Sequence, residues 1–268
     1  MWIRPLLAVS LAMVVAVALG ACASKEPTTP VQPEPLPPPK QAEVSPTKRA
    51  QIHTDLGAGY YERGQMEVAL EELNEAVKLD PNIAKTYNIY GLVYTMLRED
   101  AKAEENFRKA MALAPNDPDI RGNWGWYLCT HDRMRESLPE FDLAIRDPLY
   151  RYADIAMINA GRCSATIGEI DRAEAYYRRA LQISPNNASA AFGLATIKYK
   201  TARYDEARNY MKMVMLQGGN AGSEQLYLGM CIERRLGDRS SEAAYILQLR
   251  NRYPDSPETK ALGRGLCE

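Results

Sequence analysis

The chain has 268 residues, of which 46% are hydrophobic and 25% are charged, as in an ordinary soluble protein. Its formal net charge is -1, so there is no basic excess that would bind phosphates, and nucleic acid is excluded as an expected partner. Because the chain has only 2 histidines and no Cys-x-x-Cys pair, we also expect no metal site and no cofactor.

The first segment, residues 1–21, has the features of a secretion signal. Its apolar run, residues 6–19, has the length of a signal core and is too short to cross a bilayer comfortably. The run ends in Leu19-Gly20-Ala21-Cys22, which resembles the lipobox of bacterial lipoproteins. The resemblance implies that Cys22 is acylated and that its lipid anchors the protein in the inner leaflet of the outer membrane, at the periplasmic face, since Ala23 is not acidic. The alternative is ordinary secretion with cleavage near Cys22.

Residues 22–49 are predicted to be the lipidated cysteine and a disordered linker. Residues 24–46 contain 8 prolines and almost no large apolar side chain, so this stretch cannot bury a core and favours extended polyproline conformations. Fully extended, it would reach on the order of 60–70 Å. We interpret it as a spacer that holds the folded body away from the membrane, the alternative being a docking motif for a proline-binding module.

From about residue 50 a helical pattern repeats with a period of 34 residues. Small residues, an aromatic position and a helix-ending proline recur at this spacing, which is typical of the tetratricopeptide repeat. In that repeat each unit is a helical hairpin that packs only on its neighbours. The recurring residues are Gly57, Gly91 and Gly125, then Ala76, Ala110 and Ala144, then Pro81 and Pro115.

The predicted fold is therefore all-α, a tetratricopeptide-repeat superhelix of about six helical hairpins over residues 50–254. Its first helices are expected to line the inside of a right-handed superhelix. Residues 146–152 lengthen the period by about two residues, and Pro139 falls in the second helix of its unit, where the first turn would tolerate it. The tail, residues 255–268, is expected to form a short helix on the last hairpin. The units are expected at about 50–83, 84–117, 118–151, 154–187, 188–221 and 222–254.

The inner face of the first helices is the predicted binding surface for an extended peptide. Its amides could bind a peptide backbone, and Tyr61, Leu92 and Trp126 could receive apolar side chains. The two aromatic residues have the alternative role of packing between units. The predicted groove residues are Thr54, Ala58, Tyr61, Asn88, Leu92, Thr95, Asn123, Trp126 and Asn159.

Four cysteines follow Cys22. Cys129 and Cys163 are 34 residues apart, near the same height on neighbouring first helices, where a disulfide is compatible with the helix spacing and with an oxidising compartment. Cys231 and Cys267 could form a second bridge that ties the tail to the sixth unit. For all four, the alternative is a buried thiol that acts as a small hydrophobic side chain.

The sequence contains little that indicates a catalytic site. His131 and Asp132 look like an exposed turn pair, and no nucleophile motif accompanies them. Outside the repeats no segment is long enough for a catalytic domain. We therefore expect a binding protein and not an enzyme.

More specific strings resemble the PilF/PilW family of type IV pilus lipoproteins. They are LGAGYYERG at residues 56–64, QGGNA at 217–221 and QLRNRYPDS at 248–256, and the resemblance covers about residues 52–256. It implies an outer-membrane pilotin that binds a secretin subunit and promotes its localisation and multimerisation, or, as in some members, a role in pilus stabilisation and adhesion. The pair Cys129 and Cys163 is similar to a disulfide in some members. The alternative function is a general periplasmic scaffold for cell-envelope or outer-membrane assembly.

Overall fold

Consecutive helical hairpins build this protein. The computed structural model describes residues 44–216, 221–265 and 267, and over these residues it contains thirteen α-helices and no strand. The first twelve helices form six hairpins, so the predicted all-α repeat superhelix is confirmed. Cys22 and the rest of residues 1–43 lie outside the described part of the chain. The helices are α1 (Pro46–Glu62), α2 (Met66–Leu79), α3 (Ala84–Met96), α4 (Asp100–Leu113), α5 (Pro118–Thr130), α6 (Met134–Ile145), α7 (Ala153–Thr166), α8 (Ile170–Ile183), α9 (Ala188–Lys200), α10 (Tyr204–Leu216), α11 (Ser223–Leu236), α12 (Arg239–Arg252) and α13 (Pro257–Leu262).

The repeated glycine lets the two helices of a hairpin approach closely. A Cβ atom placed on Gly91 would lie 2.8 Å from the ring of Phe107, which is fully buried on the opposite helix. The same ring contacts the next unit, with its centroid 5.8 Å from that of Trp124 and 5.3 Å from that of Tyr127. One aromatic side chain therefore fills the space inside its own hairpin and between two hairpins, and packing at this density fixes how successive units stack.

The turn inside each hairpin contains one residue with a left-handed backbone. Three of these positions are glycines, and the equivalent positions in the other turns are Arg98, Asp132 and Ala202, with φ of 59°, 59° and 57°. A residue with a Cβ atom adopts this conformation at a cost, so tertiary packing imposes the turn even where glycine is absent.

First helices pack against one another along the array, whereas second helices do not. Within the described residues α1 contacts α3, α3 contacts α5, α5 contacts α7, α7 contacts α9 and α9 contacts α11, and no two second helices come equally close. The array is therefore compressed on the side of the first helices, which makes that side concave.

One helix boundary and the position of one proline differ from the pattern-based expectation. α1 begins at Pro46, where the Ser45 hydroxyl accepts a hydrogen bond from the Lys48 amide, so the last four residues of the predicted linker are helical. Pro139 lies in the second turn of α6, not in the first. The tail forms α13, as expected, and it packs on α11 and α12.

A buried ion cluster joins the fourth and fifth units. The ammonium group of Lys198 is fully buried, 2.6 Å from Glu174 and 3.2 Å from Glu206. Burial alone would raise the pKa of Glu174, but hydrogen bonds from Lys198, Arg178 and Arg203 outweigh it and lower the pKa to about 2. Each charge is thus compensated, as burial requires.

None of the described helices is both long and apolar enough to span a bilayer.

Candidate peptide-binding groove

The concave surface of the first four units forms an open groove of about 630 Å³. Four successive first helices, α1, α3, α5 and α7, contribute to it, together with the connection at residues 146–152. Seven of the nine groove residues expected from the sequence line it: Ala58, Tyr61, Asn88, Leu92, Asn123, Trp126 and Asn159.

The other two, Thr54 and Thr95, do not line the groove. Thr54 is 1% exposed, and its hydroxyl lies 2.9 Å from the Ala50 carbonyl oxygen and 2.6 Å from the Thr86 hydroxyl. This pair of hydroxyls is sealed between α1 and α3, which corrects the expectation for Thr54. The Thr95 hydroxyl donates to the Gly91 carbonyl at 2.7 Å. In both cases the preceding helical turn supplies the partner that the hydroxyl needs.

Amide side chains cross from one unit to the next along the groove. The Asn123 side chain donates to the Asn88 oxygen at 3.3 Å, and Asn88 itself is only 3% exposed. In the fourth unit, Arg162 donates to the Asn159 oxygen at 2.5 Å. Asn123 and Asn159 remain partly exposed, so they retain hydrogen-bonding capacity toward a polypeptide backbone.

One wall of the groove was not anticipated from the sequence. Tyr150, Arg151 and Tyr152 line the groove from the connection between α6 and α7. The Tyr150 hydroxyl lies directly against Gly122 of α5, where a Cβ atom would overlap it. The sequence does contain one indication of this wall, the two residues by which residues 146–152 lengthen the repeat period. Because of these additional residues, the three side chains have no equivalent position in the other repeats. Tyr152 is 48% exposed, so it offers an aromatic surface to a ligand.

Charges of both signs surround the groove. Asp117 accepts hydrogen bonds from the amides of Asp119 and Ile120, at 2.9 Å and 3.1 Å, and so caps α5. Partial burial, and then the charge of Asp117, raise the pKa of Asp119, while Lys85 and Arg151 oppose the rise. Burial also raises the pKa of Tyr61. A polypeptide with mixed side chains suits this lining better than a ligand of one charge.

Two exposed aliphatic side chains lie in the groove lining or next to it in sequence. Ile155 is 50% exposed and lines the groove, and Leu149, one residue before Tyr150, is 85% exposed. Exposed aliphatic side chains next to a concave site are typical of a surface that binds protein.

Disulfides link both cysteine pairs. Cys129 and Cys163 join α5 to α7 with their Cα atoms 5.9 Å apart, and Cys231 and Cys267 join α11 to the tail with their Cα atoms 5.5 Å apart. Over the described residues no group of three or more His, Cys, Asp and Glu side chains is arranged to hold a metal ion. His131 stacks on Tyr127, with ring centroids 4.1 Å apart, and its Nε2 atom lies 3.1 Å from Asp100.

Comparisons with known proteins identify the repeat and similar proteins of type IV pilus biogenesis. Models of the tetratricopeptide repeat match residues 50–97, 84–117, 124–188 and 168–228. The type IV pilus assembly protein PilF of Pseudomonas aeruginosa is 31% identical over 206 residues, which are 77% of this chain and 81% of that protein. The crystal structure of PilW, described as a widely conserved type IV pilus biogenesis factor, gives a TM-score of 0.74 at 31% identity and covers 80% of this chain and 97% of PilW. The structure of Pseudomonas aeruginosa PilF gives a TM-score of 0.77 at 28% identity, over 82% of this chain and 99% of PilF.

Proposed function

This chain belongs to the PilF/PilW family of tetratricopeptide-repeat proteins of type IV pilus biogenesis, and from that premise we propose that it binds a secretin subunit in the groove of α1, α3, α5 and α7. In this proposal the protein is a non-catalytic lipoprotein, acylated at Cys22 and held at the periplasmic face of the outer membrane. Transport of the lipid anchor carries the bound secretin along and so promotes its localisation and multimerisation.

One observation carries the binding proposal: side chains from four successive first helices converge on a single open groove. Tyr61, Leu92 and Trp126 supply apolar contact area, and the amides between them supply hydrogen bonds to a peptide backbone. Aromatic side chains that are partly buried before binding lose little entropy when a ligand covers them, so Trp126 is expected to contribute most to the affinity.

Co-purification of the secretin tests this groove. Trp126→Leu is expected to weaken secretin binding by about 30-fold, the effect of removing a residue worth about 2 kcal/mol. Asn123→Ala is expected to weaken it less. Ile183→Ala is the matched control, because Ile183 is 53% exposed on the second helix α8, away from the groove. Equal secretin recovery with Trp126→Leu and with the control would contradict the proposal.

A second experiment tests piloting separately from binding. Cys22→Ala removes the acylation site and leaves the repeats unchanged, so the variant should still bind secretin in vitro while secretin multimers disappear from the outer membrane. Unchanged multimers in the outer membrane of that strain would refute the piloting role. Normal secretin assembly together with normal twitching motility in a deletion strain would favour the general periplasmic scaffold instead.

A further inference from the structure

The tail after α13 turns back onto the inner face of the last two units. Its residue Cys267 is 9% exposed, and its carbonyl oxygen accepts a hydrogen bond from the Tyr199 hydroxyl of α9 at 2.8 Å. Two arginines of α11 also donate to tail carbonyls, Arg234 to Gly265 at 3.4 Å and Arg235 to Cys267 at 3.5 Å. These contacts are directed at the backbone of the tail, in which residues 263–265 form a turn after α13.

The tail meets repeat positions that line the open groove elsewhere in the array. The residue after the repeat glycine lines the groove in the first three units, as Ala58, Leu92 and Trp126. The residue four positions after the glycine lines it in the first unit, as Tyr61, and not in the second, where it is Thr95. Tyr199 stands four residues after the equivalent Ala195 in α9, and Met230 directly follows Gly229 in α11. The side chains that would face a ligand in the fifth and sixth units therefore face the protein's own tail.

Met230 is buried at its contact with the tail, whereas Tyr199 is partly buried. Met230 is fully buried and Cys231 is 2% exposed, and the sulfur of Cys267 lies 4.0 Å from that of Met230. Tyr227, Ile246 and Leu262 pack around the same three residues. The disulfide between Cys231 and Cys267 holds the tail in this place, which raises its effective concentration at the surface far above that of any free peptide.

We propose that the concave surface of α9 and α11 is a second peptide-binding site, and that the protein's own tail occupies it as an intramolecular ligand. The site binds a segment of chain through its backbone carbonyls, with a small side chain placed beside Met230. While the tail is in place, a partner is confined to the open groove of the first four units. This proposal does not depend on the identity of that partner.

A cleavable full-length chain tests the proposal. A protease recognition sequence is inserted between Pro254 and Asp255, both of which are exposed. The chain is folded and oxidised before cleavage, so that the disulfide retains the tail fragment. Dithiothreitol then releases the fragment, and gel filtration separates it from the body. A fluorescent peptide of residues 255–268 and a scrambled version are the binding probes, and circular dichroism of the same sample follows the fold. An uncleaved sample in dithiothreitol is the control for reduction.

After release of the tail, the body is expected to keep its helix content and to bind the labelled peptide at least tenfold more tightly than the scrambled one. Tyr199→Phe should weaken that binding about fivefold, since it removes one hydrogen bond to a carbonyl. The uncleaved control should not bind the peptide. Loss of helix content on release would show that the tail is only an end cap, and equal binding of both peptides would show that the surface does not recognise the tail. Either result would overturn the proposal.

Discussion

The disulfide between Cys129 and Cys163 joins two neighbouring units at the longest connection between helices, and its contribution to stability can be calculated. The bond closes a loop with a sequence separation of 34 residues. In the chain-entropy model, closing about 34 residues removes about 12.6 cal/mol/K from the unfolded ensemble, which is about 3.8 kcal/mol at 25 °C. We expect the free energy of unfolding to fall by about this amount when the bond is lost.

The assay compares one sequence in two redox states. The variant Cys231→Ala/Cys267→Ala keeps only the bridge between α5 and α7, so adding a reductant removes this bond and changes no side-chain volume. Urea unfolding, followed by circular dichroism, then gives the free energy of unfolding with and without the bond. The variant Cys129→Ala/Cys163→Ala is the matched control, because its remaining bond has a similar separation of 36 residues and lies at the end of the array.

A difference of less than about 1 kcal/mol between the oxidised and reduced forms would refute the reasoning, because it would fall well below the loop-closure entropy. The position of the bond adds a second expectation. The bond ties the third unit to the fourth, so without it the two parts of the array should begin to unfold separately. We therefore expect its loss also to lower the m-value, the slope of the free energy of unfolding against urea concentration. The control variant, whose bond holds only the tail, should show no such change on reduction.

Three further predictions concern single positions, and urea or thermal unfolding measures each of them. Glu174→Gln is expected to cost about 3 kcal/mol at pH 7, because it leaves a buried ammonium group without its main partner. Since the folded state lowers the pKa of Glu174 from 4.5 to about 2, its contribution is complete above pH 4.5 and is lost as the pH falls toward 2, so the variant should lose less stability than the wild type in that range. Gly91→Ala should destabilise by about 1–3 kcal/mol through overlap with Phe107, whereas Gly59→Ala, whose Cβ would meet only the end of an arginine at 3.4 Å, should stabilise by about 0.5–1 kcal/mol. Ala202→Gly should stabilise by about 0.5 kcal/mol, the difference between relief of the left-handed strain and the larger entropy of glycine in the unfolded chain. A Gly91→Ala protein at least as stable as the wild type, or a destabilised Gly59→Ala protein, would contradict the packing argument. A less stable Ala202→Gly protein would contradict the turn argument.

The repeat period predicts most of the fold because every unit packs its two helices through the same kinds of residue at equivalent positions. A small residue such as Gly91 and a large one such as Phe107 recur at fixed distances along the sequence. The sequence alone therefore predicts the hairpins and their order. The same period identifies most residues of the groove, since a position that faces inward in one unit faces inward in the next.

What the period does not predict are the features that interrupt it. Thr54 has the spacing of a groove residue, yet its hydroxyl meets that of Thr86 between two helices, a contact that depends on the crossing angle of the helices. Tyr150 reaches the groove from a connection, where no helical periodicity applies. The tail contacts Tyr199 across 68 residues of sequence, and nothing local indicates such a pairing.

The connection at residues 146–152 has a broader consequence. Other connections between hairpins, such as residues 80–83, 114–117 and 184–187, are shorter, and the helices they join are set by the packing of the repeats. Tyr150 packs against Gly122 and the neighbouring hydrophobic core, whereas Arg151 and Tyr152 are exposed beside it. Substitution of Arg151 or Tyr152 is therefore expected to change the lining of the proposed groove while the curvature of the scaffold stays constant. This part of the groove lining can therefore diverge between relatives without a change in the repeats that set the architecture.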